Sequence, residues 1–176
     1  GLILVEPKEG LPKADKEFYV MQGEFYTVDD IGSKGLQVFD AKKMLDGHPE
    51  YIVFNGKTKG AVDNMSAKVG DKVRIYFGNG GVNLISSFHV IGEIFDKVYP
   101  EGAIGSEPHK NVQSTIVPAG GATITDFGLE IPGNYILVDH ALSRLDRGAW
   151  GTLKVEGPEN KNIFDGVVDM SGSSGH

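Results

Sequence analysis

Two short phrases carry the side chains best able to do chemistry in this chain: SSFHVIGEIFDKVY, from Ser86 to Tyr99, and LVDH, from Leu137 to His140. Each sets a histidine in an apolar, strand-like run, in a protein that has five histidines and no cysteine. Imidazole is the usual metal ligand and the usual proton carrier near neutral pH, so the pair points to a metal site, a proton relay, or both. The missing thiol removes the thiolate zinc site and the cysteine nucleophile from the chemistries such strands could carry. What remains looks like part of a metal site rather than the whole of one.

The other histidines sort by context. His48 lies in the turn DGHPEY, His109 in the loop SEPHKN, and His176 is the last residue of a polar tail, so all three read as solvated. His89 and His140 instead interrupt runs that would otherwise be core. Alternation along a strand puts His89 on the same face as Ile91, opposite Phe88 and Val90. His140 follows ILVD at a strand end, where a side chain can reach a neighbouring surface. A hydrogen-bonded structural histidine satisfies the same local patterns, so the residues alone leave both roles open.

The elements that must hold these side chains are short strands. KEFYVMQGEFYT, YIVFNG, DKVRIYFGNGG, SSFHVIGEI, NVQSTIVPAGG, ATITDFGLEIPG, NYILVDH and GTLKVEG follow one another at the spacing of a sandwich or barrel. The opening GLILVEP, Gly1 to Pro7, also reads as a strand, and KEGLPKADK as a charged connector loop. One short helix is expected after Asp40, a suitable N-cap, ending at Gly47 to Pro49. AKVGDKVRIYFGN and GLEIPGNYILVDH each feed a strand from a tight turn, as antiparallel Greek-key sandwiches do. The fold class is therefore all-β, a Greek-key sandwich or barrel with one or two short helices. One domain is expected over residues 1–166, and residues 167–176, ending in SGSSGH, read as a flexible tail or linker.

Composition narrows the function. The chain has 176 residues, of which 40% are hydrophobic, enough for one proper core, and 25 glycines favour many tight turns. A formal charge of −7 argues against a nucleic-acid footprint and permits a basic partner. No apolar run approaches the roughly 20 residues that span a bilayer. Without cysteine, disulfides cannot report the redox compartment. The chain opens at Gly1 without a methionine, which looks like the inside of a longer protein.

The phrases GLILVEPKEGLP, KEFYVMQGEFYT, YIVFNG, GNGG, NLISSFHVIGEIFDKV, NVQSTIVPAGG, LVDHALSR and GTLKVEG, in that order, carry a resemblance. From Gly1 to about Gly166 the chain resembles the second cupredoxin domain of copper-containing nitrite reductases, periplasmic denitrification enzymes that reduce nitrite to nitric oxide. The resemblance implies a homotrimer whose subunits each hold two cupredoxin domains, with a type 2 copper between adjacent subunits. Two histidine ligands of that copper would come from the first domain of one subunit and the third from the second domain of its neighbour. His140 matches this third ligand. His89 matches the catalytic, non-ligand histidine that works with an aspartate of the first domain, and Ile91 the aliphatic residue crowding the open copper position. Ser114, beside Gln113, stands where the family commonly has threonine, keeping the hydroxyl but losing a methyl.

The same resemblance places a blue type 1 copper in the first domain. Such a centre needs a cysteine thiolate, so this chain cannot hold one and by itself is expected to be colourless and inactive. The implied partners are nitrite, an N-terminal cupredoxin domain and a small electron donor such as a cytochrome c or a blue copper protein. The sequence departs from the family at ALSRLDRGAWG, after His140, and at PEGAIGSEPHK, loops expected near the subunit interface. Trp150 reads as an interface or core filler rather than an electron relay. Two alternatives stay open: a structural or interaction cupredoxin domain without turnover, and a different copper oxidoreductase built on the same interdomain site. The paired His-X-His motifs of multicopper oxidases are absent, which argues against a laccase.

Overall fold

A computed structural model describes residues 1–58 and 65–166, so the tail read at residues 167–176 lies outside the described residues. Ten strands form two five-stranded sheets facing each other. In chain order these are β1 (Lys16–Phe25), β2 (Tyr51–Phe54), β3 (Ser66–Lys68), β4 (Lys72–Asn79), β5 (Ser86–Ile91), β6 (Lys97–Tyr99), β7 (Ser114–Val117), β8 (Ala122–Gly128), β9 (Gly133–Asp139) and β10 (Trp150–Glu156). The first sheet runs β2-β1-β4-β8-β6 and the second β3-β10-β9-β5-β7. The all-β expectation holds, and the two short strands β3 and β6 add to eight of the nine read from sequence.

Two expectations change. The sheets are mixed rather than antiparallel throughout, because β1 pairs with β4 and β3 with β10 in parallel. Gly1–Pro7 is not a strand. No strand pairs with this segment, and Leu2 instead lies over Gly78 on the outer face of the first sheet. The close approach needs a glycine, since a Cβ at position 78 would come within 2.5 Å of the Leu2 side chain. The alternation of burial ordinary for a strand is blurred along DKVRIYFGN. Arg74 and Gly78 on the outer face are buried along with Val73, Ile75 and Phe77 on the inner one.

The helix α1 (Ala41–Leu45) sits where its cap predicts, with the Asp40 carboxylate accepting from the Lys43 N–H at 2.9 Å. Two single 3₁₀ turns, Pro100–Gly102 and Leu142–Arg144, complete the helical content of the described residues. The core between the sheets is strongly aromatic. Phe88 of β5 stacks on Phe77 of β4 with ring centroids 4.1 Å apart, and on Phe95 at 5.8 Å. These contacts pin β5 by its inward side chains and turn the alternate ones, including His89, outward.

Candidate functional site

β5 lies between β7 and β9, and its outer face is where the candidate residues gather. In register, His89 is opposite Ser114 of β7 on one side and Val138 of β9 on the other. Phe88 and Val90 are fully buried, His89 is half-buried and Ile91 is 44% exposed, so the alternation expected from sequence holds. His140 comes immediately after β9, is exposed, and ties the chain back to β5 by donating its backbone N–H to the Ser87 carbonyl at 2.8 Å. The result is a histidine pair, with the His89 and His140 ring centroids 5.5 Å apart and the planes at 60°.

The two imidazoles have different surroundings. His89 Nδ1 lies 2.5 Å from the Gln113 carbonyl oxygen. A carbonyl can only accept, so Nδ1 carries the hydrogen and Nε2 is the nitrogen left to take up or give up a proton. The Gln113 carbonyl, not the Ser114 hydroxyl, is thus what orients the ring. His140 has no such partner for its ring among the described residues, which leaves its imidazole available to something outside the chain. No group of three or more metal-binding side chains occurs among the described residues, so a metal at His140 needs further ligands from elsewhere.

His89 also borders a cavity of about 730 Å³ shared with Glu93, Asp96, Asn111, Gln113 and Glu130. His140 does not line it, so this cavity flanks the histidine pair rather than containing it. Burial, reinforced by the charges of Asp96 and Glu130, pushes the Glu93 carboxyl up to about 7. Of the histidines read as solvated, His48 is exposed after α1, and His109 is exposed and bridged through its backbone to Val98. His176 lies outside the described residues. Trp150 opens β10 half-buried.

The residues that sequence reasoning passed over are Asp139, Gln22 and Arg144. Asp139 is fully buried beside exposed His140 and accepts hydrogen bonds from the Gln22 side chain at 3.0 Å and from the Ser87 N–H at 3.1 Å. A charged residue inside the apolar run ILVD was the available signal, since buried carboxylates occur only with partners. Gln22 and Ser87 lie far away in sequence, whereas Arg144 follows five residues on.

No protein-family model matches the chain. Curated relatives do. A copper-containing nitrite reductase from Neisseria meningitidis serogroup A is 62% identical over 168 residues, spanning 93% of this chain and 43% of that protein. Over nearly its whole length the chain is similar to one part of copper-containing nitrite reductases. A copper-containing nitrite reductase from Neisseria gonorrhoeae is 61% identical over 167 residues, again covering 93% of this chain and 42% of the relative. The chain therefore spans about half the length, or less, of the relatives it matches. Among solved structures, a copper-containing nitrite reductase from Thermus scotoductus SA-01 superposes with a TM-score of 0.76 at 28% identity, over 89% of this chain and 36% of that one. A copper nitrite reductase from Nitrosomonas europaea gives 0.71 at 32% identity, over 85% and 52%. The cupredoxin-like architecture and the family resemblance read from sequence are both borne out.

Proposed function

We propose that this chain is the second cupredoxin domain of a nitrite reductase that forms nitric oxide, and that it contributes His140 as the third ligand of a type 2 copper shared with an adjacent subunit. The observation that carries the reading is the histidine pair. One exposed imidazole without an internal partner fits a ligand, and a second, 5.5 Å away and held by a carbonyl at Nδ1, fits a proton relay. The donor set is consistent with copper, which favours imidazole, and it is incomplete in the way a shared site requires.

Reduction of nitrite to nitric oxide takes up one electron and two protons and releases one water. Copper, when bound, would supply the electron and an open position for nitrite. In this reading His89 delivers protons from Nε2 while its Nδ1–H stays anchored on the Gln113 carbonyl. Ile91, exposed on the same strand face, presents an aliphatic wall beside the site and restricts how a small anion can approach. Ser114, level with His89 on β7, offers a hydroxyl at the edge of the same surface.

The remaining ligands, an electron-transferring type 1 copper and its cysteine belong in this reading to an N-terminal cupredoxin domain. The assembly is a periplasmic homotrimer fed by a cytochrome c or a blue copper protein, and the domain occupies residues 1–166. The test is copper content of the full-length protein with and without His140→Ala. Loss of about one copper per chain on substitution is the expected result, and full occupancy would overturn the assignment.

A further inference from the structure

Asp139 combines complete burial with a position directly before an exposed functional side chain. Its Oδ1 accepts from the backbone N–H groups of Ser87 at 3.1 Å and Ala141 at 3.2 Å. Its Oδ2 accepts from Gln22 Nε2 at 3.0 Å and pairs with the Arg144 guanidinium. Gln22, also fully buried, accepts in turn from the Ser86 hydroxyl at 2.8 Å, and Arg144 donates a second bond to the Ile85 carbonyl at 2.6 Å.

These bonds join β1, the start of β5, the end of β9 and the 3₁₀ turn after it. They also bracket His140. Its own N–H is bound to the Ser87 carbonyl, while the N–H groups of Ser87 and Ala141 converge on a single carboxylate oxygen. The peptide units on both sides of His140 are thereby held, and the ring can be presented in few directions. Burying a carboxylate costs much of what its partners return, so a network of this kind is a poor source of stability and a good source of defined geometry.

We propose that Asp139, clamped by Arg144 and Gln22, is the positioning residue for His140, fixing the β5–β9 corner so that the imidazole meets copper in one orientation at a set distance from His89. The inference rests on the reading of His140 as a copper ligand.

The experiment uses the full-length, copper-loaded protein with Asp139→Asn, Arg144→Gln, Arg144→Lys and His140→Ala. Type 2 copper affinity is read by chelator competition, copper geometry by the hyperfine coupling in electron paramagnetic resonance, and folding by thermal unfolding. Asp139→Asn and Arg144→Gln are expected to weaken type 2 copper roughly tenfold or more and to shift its hyperfine coupling, the usual scale for groups that orient a ligand. Arg144→Lys, which keeps the charge, should recover part of both. Should Asp139→Asn fail to fold, Arg144→Gln decides alone, because Arg144 reaches the surface with 18% of its side chain exposed. Wild-type affinity and spectrum in the folded variants, with only the unfolding temperature lowered, would overturn the proposal. If His140→Ala keeps its copper, the ligand reading fails as well; if it loses copper while the other variants bind normally, the positioning role alone fails.

Discussion

The rings of His89 and His140 stand 5.5 Å apart although they arise on β5 and beyond the end of β9, and the backbone bond from His140 N–H to the Ser87 carbonyl at 2.8 Å closes the corner between them. A ligand candidate and a relay candidate therefore share one surface, oriented by different means. His89 is anchored through its ring and His140 through its backbone. Substituting each should consequently do different damage.

His89→Ala in the full-length protein should leave copper bound and slow nitrite turnover by about a hundredfold or more, the usual scale for a lost general acid. Copper content and steady-state nitrite turnover of the variant check this together, and unchanged turnover with copper still bound would remove His89 from the relay role.

Ser114→Ala should be mild. The hydrogen bond that orients His89 goes to the Gln113 backbone, which the substitution leaves in place. A neutral hydrogen bond is worth about 1 kcal/mol, so turnover should change by less than roughly tenfold. Steady-state kinetics with copper content measured in parallel would check this, and a loss as large as that of His89→Ala would show that the hydroxyl has a direct part.

Glu93 gives stability a pH dependence of known sign. Its carboxyl is held at about 7 in the folded state, above an ordinary value near 4.5, so the folded protein binds more protons than the unfolded chain between those limits. Stability should fall as pH rises from about 4.5 towards 7 and stay reduced above that. Glu93→Gln should remove this part of the slope and raise stability at pH 8 by about 1 kcal/mol, a figure discounted for partial exposure. Thermal unfolding of both proteins at pH 5 and pH 8 measures it; equal differences at the two pH values would contradict the assignment.

Asp126→Ala should be strongly destabilising. Arg74 is 2% exposed and forms two bonds to Asp126, at 2.7 and 2.8 Å, with Glu17 farther off at 3.5 Å. Removing Asp126 leaves a buried cation largely uncompensated, at a cost of about 3–5 kcal/mol. Denaturant unfolding reads the change, and a cost below about 1 kcal/mol would mean that Glu17 or water takes over the pairing.

Much of the fold was legible because its signals are local. Asp40 capped α1, turn residues separated the strands, and alternation turned Phe88 inward and His89 outward, each over a span of a few residues. Gly1–Pro7 misled for the same reason. Its composition suits a strand, but a strand also needs a ladder partner, and the segment instead lays Leu2 over Gly78 on the outer face of the first sheet. The parallel pairings of β1 with β4 and of β3 with β10 were equally hidden, since pairing direction depends on how distant segments return to the sheet.

The sequence by itself determined an all-β domain, the outward face shared by His89 and Ile91, the placement of His140 at a strand end, and the exclusion of any thiolate metal centre. Only the tertiary structure decided that the two histidines meet, that Gln113 rather than Ser114 orients His89, and that Asp139 lies at the centre of a buried clamp. Those outcomes rest on hydrogen bonds between residues far apart in the chain, 52 positions for Ser87 with Asp139 and 117 for Gln22 with Asp139. No periodicity or spacing within a strand encodes such partners, because they are set by which strands become neighbours and in which register.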